Sequence, residues 1–174
     1  MKVLADEAHG THFYFGEDLP VSAMAAGADI AAVSMHKSGG SLTQSSLLLT
    51  NKNVRWEYVA QIINLTQTTS ASYLLMSSLD ISRRNLALRG KESFGKVMKM
   101  AEYARNEINE IGGYYAYGRE LNNGSSVFDY DVTKLSVYTR DIGLAGIEVY
   151  DLLRDEYDCL LYTSDAADDL LCVD

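Results

Sequence analysis

Asp6 and Lys37 are the residues whose types and spacing invite chemistry. Asp6 ends the short apolar run Val3-Leu4-Ala5 and is followed by Glu7-Ala8-His9-Gly10. Lys37 lies 31 positions later, in Ser34-Met35-His36-Lys37-Ser38-Gly39-Gly40. An acid closing one strand and a lysine closing the next converge at one edge of a parallel sheet. That arrangement suits pyridoxal phosphate (PLP): a carboxylate pairs with the pyridine nitrogen while the lysine amine holds the aldehyde as a Schiff base. Around Lys37, Gly39 and Gly40 expose backbone amides, and Ser34, Ser38, Ser41 and Thr43 add hydroxyls. Small residues of this kind let a backbone approach a phosphate closely.

Other chemistries compete for the same residues. Asp6-Glu7-Ala8-His9 spells the magnesium motif of nucleic-acid helicases, which requires a G-x-x-x-x-G-K-[ST] phosphate loop earlier in the chain. Here Lys37-Ser38 follows the acidic strand, with His36 and Ala31 where glycines are needed. His9 and His12, three apart, suggest a metal site, but the aromatic stretch Phe13-Tyr14-Phe15 offers no third ligand at a defined spacing. A lysine after an apolar strand is most often a solvated strand end; its serine- and glycine-rich neighbours set Lys37 apart.

The elements that must position these residues read as α/β. Val3 to Ala5 and Ile30 to Met35 are apolar and β-compatible, the second delivering His36 and Lys37 at its end, and Leu47 to Thr50 is a third strand. Parallel pairing is expected in this stretch. Pro20 opens a short helix through Ala25 that Gly27 stops. Helices are expected from Val54 to about Thr68 and from Tyr73 to Arg89, the latter ending at Gly90. A separate helix over 91–111 carries Phe94, Val97, Met98, Ala101, Ala104, Ile108 and Ile111 at helical spacing, with Lys96, Lys99, Glu102, Arg105 and Glu107 between them. Lys134 to Tyr138 alternates as a half-buried strand, and Leu144 to Tyr157 as an amphipathic helix.

The 174 residues suffice for a real core, and 47% hydrophobic with 22% charged content is globular. No apolar run approaches the ~20 residues that cross a bilayer, and the N-terminus is not a signal peptide, so cytoplasm is the expectation. A net charge of −9 argues against a general nucleic-acid binder. Four of the acids (Asp165, Asp168, Asp169, Asp174) and both cysteines fall in 159–174, a run without clean periodicity that resembles translated sequencing-adapter read. Setting it aside leaves 20 acids against 15 bases, and no disulfide or zinc site is built on its cysteines.

With these motifs together, residues 1–158 resemble the Orn/Lys/Arg decarboxylase family of PLP fold-type I enzymes. The resemblance rests on Asp6-Glu7-Ala8-His9-Gly10-Thr11-His12-Phe13, on Ser34-Met35-His36-Lys37 with Gly39-Gly40-Ser41-Leu42-Thr43-Gln44-Ser45-Ser46, and on Gln67-Thr68-Thr69-Ser70 with Ser72-Tyr73. Ala71 stands where the family pattern has proline. The resemblance implies that Lys37 is the Schiff-base lysine and that Asp6 keeps the pyridine nitrogen protonated. It implies too that Ala8 packs on the ring and that Ser34 and His36 bind or frame the phosphate. His9 and His12 lie near enough to touch cofactor or substrate, with no role assigned.

The fold so implied is the C-terminal half of an aspartate aminotransferase-like large domain (1–90), then a linking helix and the start of an α+β small domain (91–158), then a non-native tail (159–174). The expected reaction is release of CO2 from arginine, lysine or ornithine. The expected state is a gene fragment, inactive alone, of a homodimeric or dimer-based enzyme in which Thr68-Thr69-Ser70 reach across an interface. The rivals are another fold-type I enzyme (aminotransferase or lyase) and a non-catalytic α/β binding domain.

Overall fold

Short apolar runs bounded by turn residues become strands when a neighbour can take their backbone hydrogen bonds. The computed structural model describes residues 1–159. In it β1 (Leu4–Asp6) pairs parallel with β2 (Ile30–Val33), bringing Asp6 opposite Ala32. The far edge of β2 pairs with β3 (Leu47–Thr50), Val33 opposite Leu47. That second pairing is antiparallel, which corrects the expectation of parallel pairing throughout. A parallel return needs a crossover of a dozen or more residues along the sheet face. The segment joining β2 to β3 instead folds into one helical turn and comes back at the same sheet end.

Two local expectations also change. The Pro20–Ala25 segment forms turns rather than a helix. Its few residues cannot offset helix nucleation, and Glu7 takes the Ala23 amide, 2.8 Å away. β2 ends at Val33, so His36 and Lys37 are not strand residues; they belong to a one-turn helix, α1 (Met35–Ser38), entered through Ser34 in extended conformation.

α2 (Trp56–Thr66) precedes the largest departure from the sequence reading. The helices expected over 73–89 and 91–111 are one, α3 (Tyr73–Ile111, 39 residues). Gly90 does not stop it. A Cβ there would lie 2.8 Å from both Cβ and the carbonyl oxygen of Phe15, so the glycine admits close approach of another backbone. Ser82, Leu86 and Gly90 are buried and Phe94 half-buried, at steps of four that keep them on one helix face.

The chain forms two compact units, Met1–Val97 and Met98–Asp174. Ala28, Ala31, Val33, Met35 and Leu86 make the apolar core of the first, with Thr11 and His12 buried beside them. In the second, β4 (Tyr115–Ala116) pairs antiparallel with β5 (Val137–Tyr138), and α4 (Gly146–Tyr157) follows. Arg105, which the sequence sets between the apolar positions of the helix, is only 4% exposed. Its guanidinium donates to the carbonyls of Tyr117 (2.5 Å), Val132 (3.1 Å) and Lys134 (3.0 Å). The adapter-like run lies outside the described residues except for Cys159, which is exposed.

Candidate functional site

The site grows from the carboxyl end of the β1/β2 pair. Past Asp6 the pairing persists for one more bond, Glu7 N–H to the Ala32 carbonyl at 2.9 Å. Successive side chains along an extended segment point oppositely, and Asp6 and Glu7 are divided in this way. Asp6 is exposed, its Oδ1 accepting the Ala8 amide at 3.1 Å. Glu7 is buried and accepts from the Tyr14 hydroxyl (2.5 Å) as well as from Ala23 N–H. Desolvation first, then the hydrogen bond and charge of Glu7, pushes the Tyr14 phenol up to about 12.

Lys37 stands exposed on α1, and that turn is fastened at several points. Thr11 Oγ1 donates to the Ser34 carbonyl at 3.1 Å, and Ser82 Oγ on α3 donates to the Gly39 carbonyl. The Leu42 amide donates to Ser78 Oγ at 3.2 Å. His12, 1% exposed, sits 4.7 Å from the Phe13 ring centroid and 5.2 Å from that of Phe94, with Nδ1 3.3 Å from Ser38 Oγ. Gly39 permits the tight turn at the end of α1, since a Cβ would meet the Met35 carbonyl oxygen at 2.6 Å and Thr11 Cγ2 at 3.1 Å. His36 Nδ1 lies 3.0 Å from the Ser45 carbonyl. A carbonyl only accepts, so Nδ1 carries a proton.

Of the residues singled out from sequence, the fold brings His9 and Lys37 into contact, Nε2 to Nζ at 3.1 Å. Ala8 is half-buried beside Asp6, and Ser34 and His36 flank Lys37, the Ser34 side chain making no capping bond. Asp6 and Lys37 do not pair with each other. Two hydroxyls assigned to a phosphate neighbourhood are engaged internally: Ser38 with His12, and Ser41 with Ser45 Oγ at 2.5 Å. Ser45 also donates to the Leu42 carbonyl, which closes that loop on itself.

Glu7, Thr11, Ser45 and Ser82 were not foreseen. The strand alternation beyond Asp6 could have flagged Glu7; the other three are set by contacts between distant segments. A cavity of about 280 Å³ lined by Lys2, Leu4, Asp29 and Arg55, among others, opens at the opposite end of β1 and β2 and includes none of these residues. Chemically, the carboxyl end offers an amine able to add to a carbonyl, an imidazole against it, and a carboxylate on the adjacent strand able to hold a cationic ring nitrogen.

Residues 1–134 match the family model described as Orn/Lys/Arg decarboxylase, major domain. The chain is 45% identical over 172 residues to a protein of Halalkalibacterium halodurans named arginine decarboxylase, covering 98% of this chain and 35% of that protein. It is 43% identical to the arginine decarboxylase of Bacillus subtilis, with the same coverage. The chain thus spans about a third of the length of these curated relatives. Among solved structures, a chain of the SepCysS–SepCysE N-terminal domain complex aligns with a TM-score of 0.48 and 18% identity, over 68% of this chain and 32% of that one.

Proposed function

Since the chain belongs to the Orn/Lys/Arg decarboxylase family, we propose that its first unit carries PLP-binding machinery of an enzyme that decarboxylates a basic amino acid. In this reading residues 1–90 are the C-terminal half of a fold-type I large domain, and 91–158 hold the second part of α3, as the link, with the start of a smaller domain. The name of the relatives makes arginine the first substrate to test, ahead of lysine and ornithine.

The donor set suits the cofactor. Lys37 supplies an exposed amine to bond its aldehyde, on a turn fixed from below by Thr11, His12 and Ser82. Asp6, one strand away, offers a carboxylate with Oδ2 uncommitted among the described residues. It would hold a proton on the pyridine nitrogen. The Ala8 methyl leaves room for a flat ring, and His9 borders the same space. Ser34 Oγ and His36 Nε2, the ring nitrogen turned from Ser45, would frame the phosphate. When bound, PLP supplies an electron sink for the pair left as CO2 departs. The chain's residues bind, orient and hold protons at these atoms.

The observation that carries this reading is the exposed Lys37 amine at the carboxyl end of the parallel pair, beside the Asp6–His9 segment. Borohydride reduction of the chain with PLP, followed by peptide mapping, is expected to place a pyridoxyl adduct on Lys37 and to lose it in Lys37→Ala. An adduct no more frequent at Lys37 than at exposed Lys52 sinks the proposal. Product analysis of the whole enzyme separates decarboxylation from transamination, which gives a keto acid and no CO2.

We further propose that the 174-residue chain alone does not turn over. Asp6 and Lys37 are both exposed, so the described residues do not exclude water from the chemistry. CO2 release from arginine by purified chain with PLP would overturn this. The whole protein is proposed to be a homodimer or dimer-based assembly in which the exposed Thr68-Thr69-Ser70 loop reaches a neighbouring site. A cytoplasmic location belongs to the same proposal, drawn from the bacterial decarboxylases the chain is similar to. No helix among the described residues is long and apolar enough to cross a membrane.

A further inference from the structure

We propose that His9 is the proton acceptor for Lys37, a role resting on the reading of Lys37 as the carbonyl-bonding lysine. The two residues come from different elements, His9 from the turn after β1 and Lys37 from α1 after β2, and their nitrogens meet at 3.1 Å. A lysine ammonium has three donors and no acceptor, so toward it His9 Nε2 accepts, which puts the ring proton on Nδ1. Two full positive charges at this distance would repel each other.

The bonds that the neighbouring titratable groups make go to partners other than Lys37. Asp6 accepts from the Ala8 amide, Glu7 is buried against Tyr14, His12 faces Ser38, and His36 donates to the Ser45 carbonyl. Among the described residues His9 is therefore the titratable side chain bonded to the Lys37 amine.

The step balances within the pair. One N–H bond of the Lys37 ammonium breaks and a His9 Nε2–H bond forms, which passes the positive charge to the imidazole and leaves a lone pair on Nζ. As that lone pair bonds a carbonyl carbon, the carbonyl π electrons go to its oxygen, and one of the two remaining Nζ protons follows them there, leaving a neutral carbinolamine. No oxidant, reductant or metal is needed. On release the proton returns along the same hydrogen bond. A positioned imidazole is the usual group for such transfer near neutral pH.

Acetylation of the full chain by an N-hydroxysuccinimide ester at pH 7, read lysine by lysine by mass spectrometry, tests this without any cofactor. Lys37 is expected to react roughly tenfold faster than exposed Lys52, a conservative value for a positioned base. His9→Gln, which keeps a polar side chain of similar reach, is expected to bring Lys37 down to the Lys52 rate. In His9→Ala, added imidazole is expected to restore part of the difference, which a merely structural His9 would not allow. Unchanged Lys52 rates and circular dichroism show that the variants are folded. A Lys37 rate indifferent to His9→Gln overturns the proposal. A His9 effect without any pyridoxyl adduct overturns the cofactor reading and upholds this one; an adduct on Lys37 with no His9 effect does the reverse.

Discussion

At the scale of single residues, the Glu7–Tyr14 contact ties the fold to pH. A phenol whose pKa is raised in the folded chain stabilises it fully below its ordinary value of 10.0. That contribution is lost as pH rises through about 12. Thermal unfolding followed from pH 9 upward should show a fall in melting temperature across this window, and Tyr14→Phe should flatten it. Asp29 works at the other extreme. Its carboxylate accepts the Val3 amide, and also bonds Lys2 and Asn53, which hold it down at about 2. Stability from this group is present above the ordinary carboxylate value and goes as pH falls through about 2; Asp29→Asn should weaken that acid sensitivity. Arg105 shows what a sequence pattern hides. Arg105→Met leaves three backbone carbonyls without their donor, at about 3 kcal/mol or more in total. A lower urea midpoint reported by Tyr115 and Tyr117, near the lost bonds, would record it.

At the scale of elements, α3 is the buttress of the lysine turn. Ser78 meets Leu42, Ser82 meets Gly39, Gly90 meets Phe15 and Phe94 meets His12. Gly90→Val should therefore be felt at Lys37. Overpacking of this kind costs about 1–3 kcal/mol, and the pyridoxyl adduct yield should drop with stability, whereas Gly95→Ala, where a Cβ meets nothing within 4 Å, should leave both unharmed. Much of this layer was legible beforehand. β1, β2, β3 and α4 follow from short apolar runs and helical spacing, and the meeting of the two motifs at one sheet end follows from the parallel pair. The rest was not legible because it depends on partners far along the chain. Gly90 reads as a stop until Phe15 is seen against it, and Ser38 reads as a phosphate ligand until His12 claims it. The same holds for the direction of β3, which rests on where the connection from α1 returns.

At the scale of the whole molecule, the outstanding property is uncovered apolar surface. Ile62 and Leu65 on α2 and Leu74 and Leu88 on α3 are each more than 60% exposed, and no residue of α2 is buried. Large apolar side chains left this open mark surfaces that another surface commonly covers. The isolated chain should therefore bind a hydrophobic dye and sediment as a concentration-dependent species at micromolar concentrations. Replacing Ile62 and Leu65 by glutamate should reduce both signals without altering the far-ultraviolet spectrum. Monomeric, dye-silent chain would show instead that these faces are covered in a way the exposures do not reflect.

The opposite fates of Asp6 and Glu7 have an outcome for anyone mutating this stretch. One carboxylate looks out toward prospective ligands and the other is locked into the interior, though they are adjacent in sequence and alike in charge. Library variants at position 7 should fail a solubility screen before any binding assay is run. Those at position 6 should pass it and fail only when cofactor is offered, so pairing the two screens would tell scaffold from chemistry at single-residue resolution.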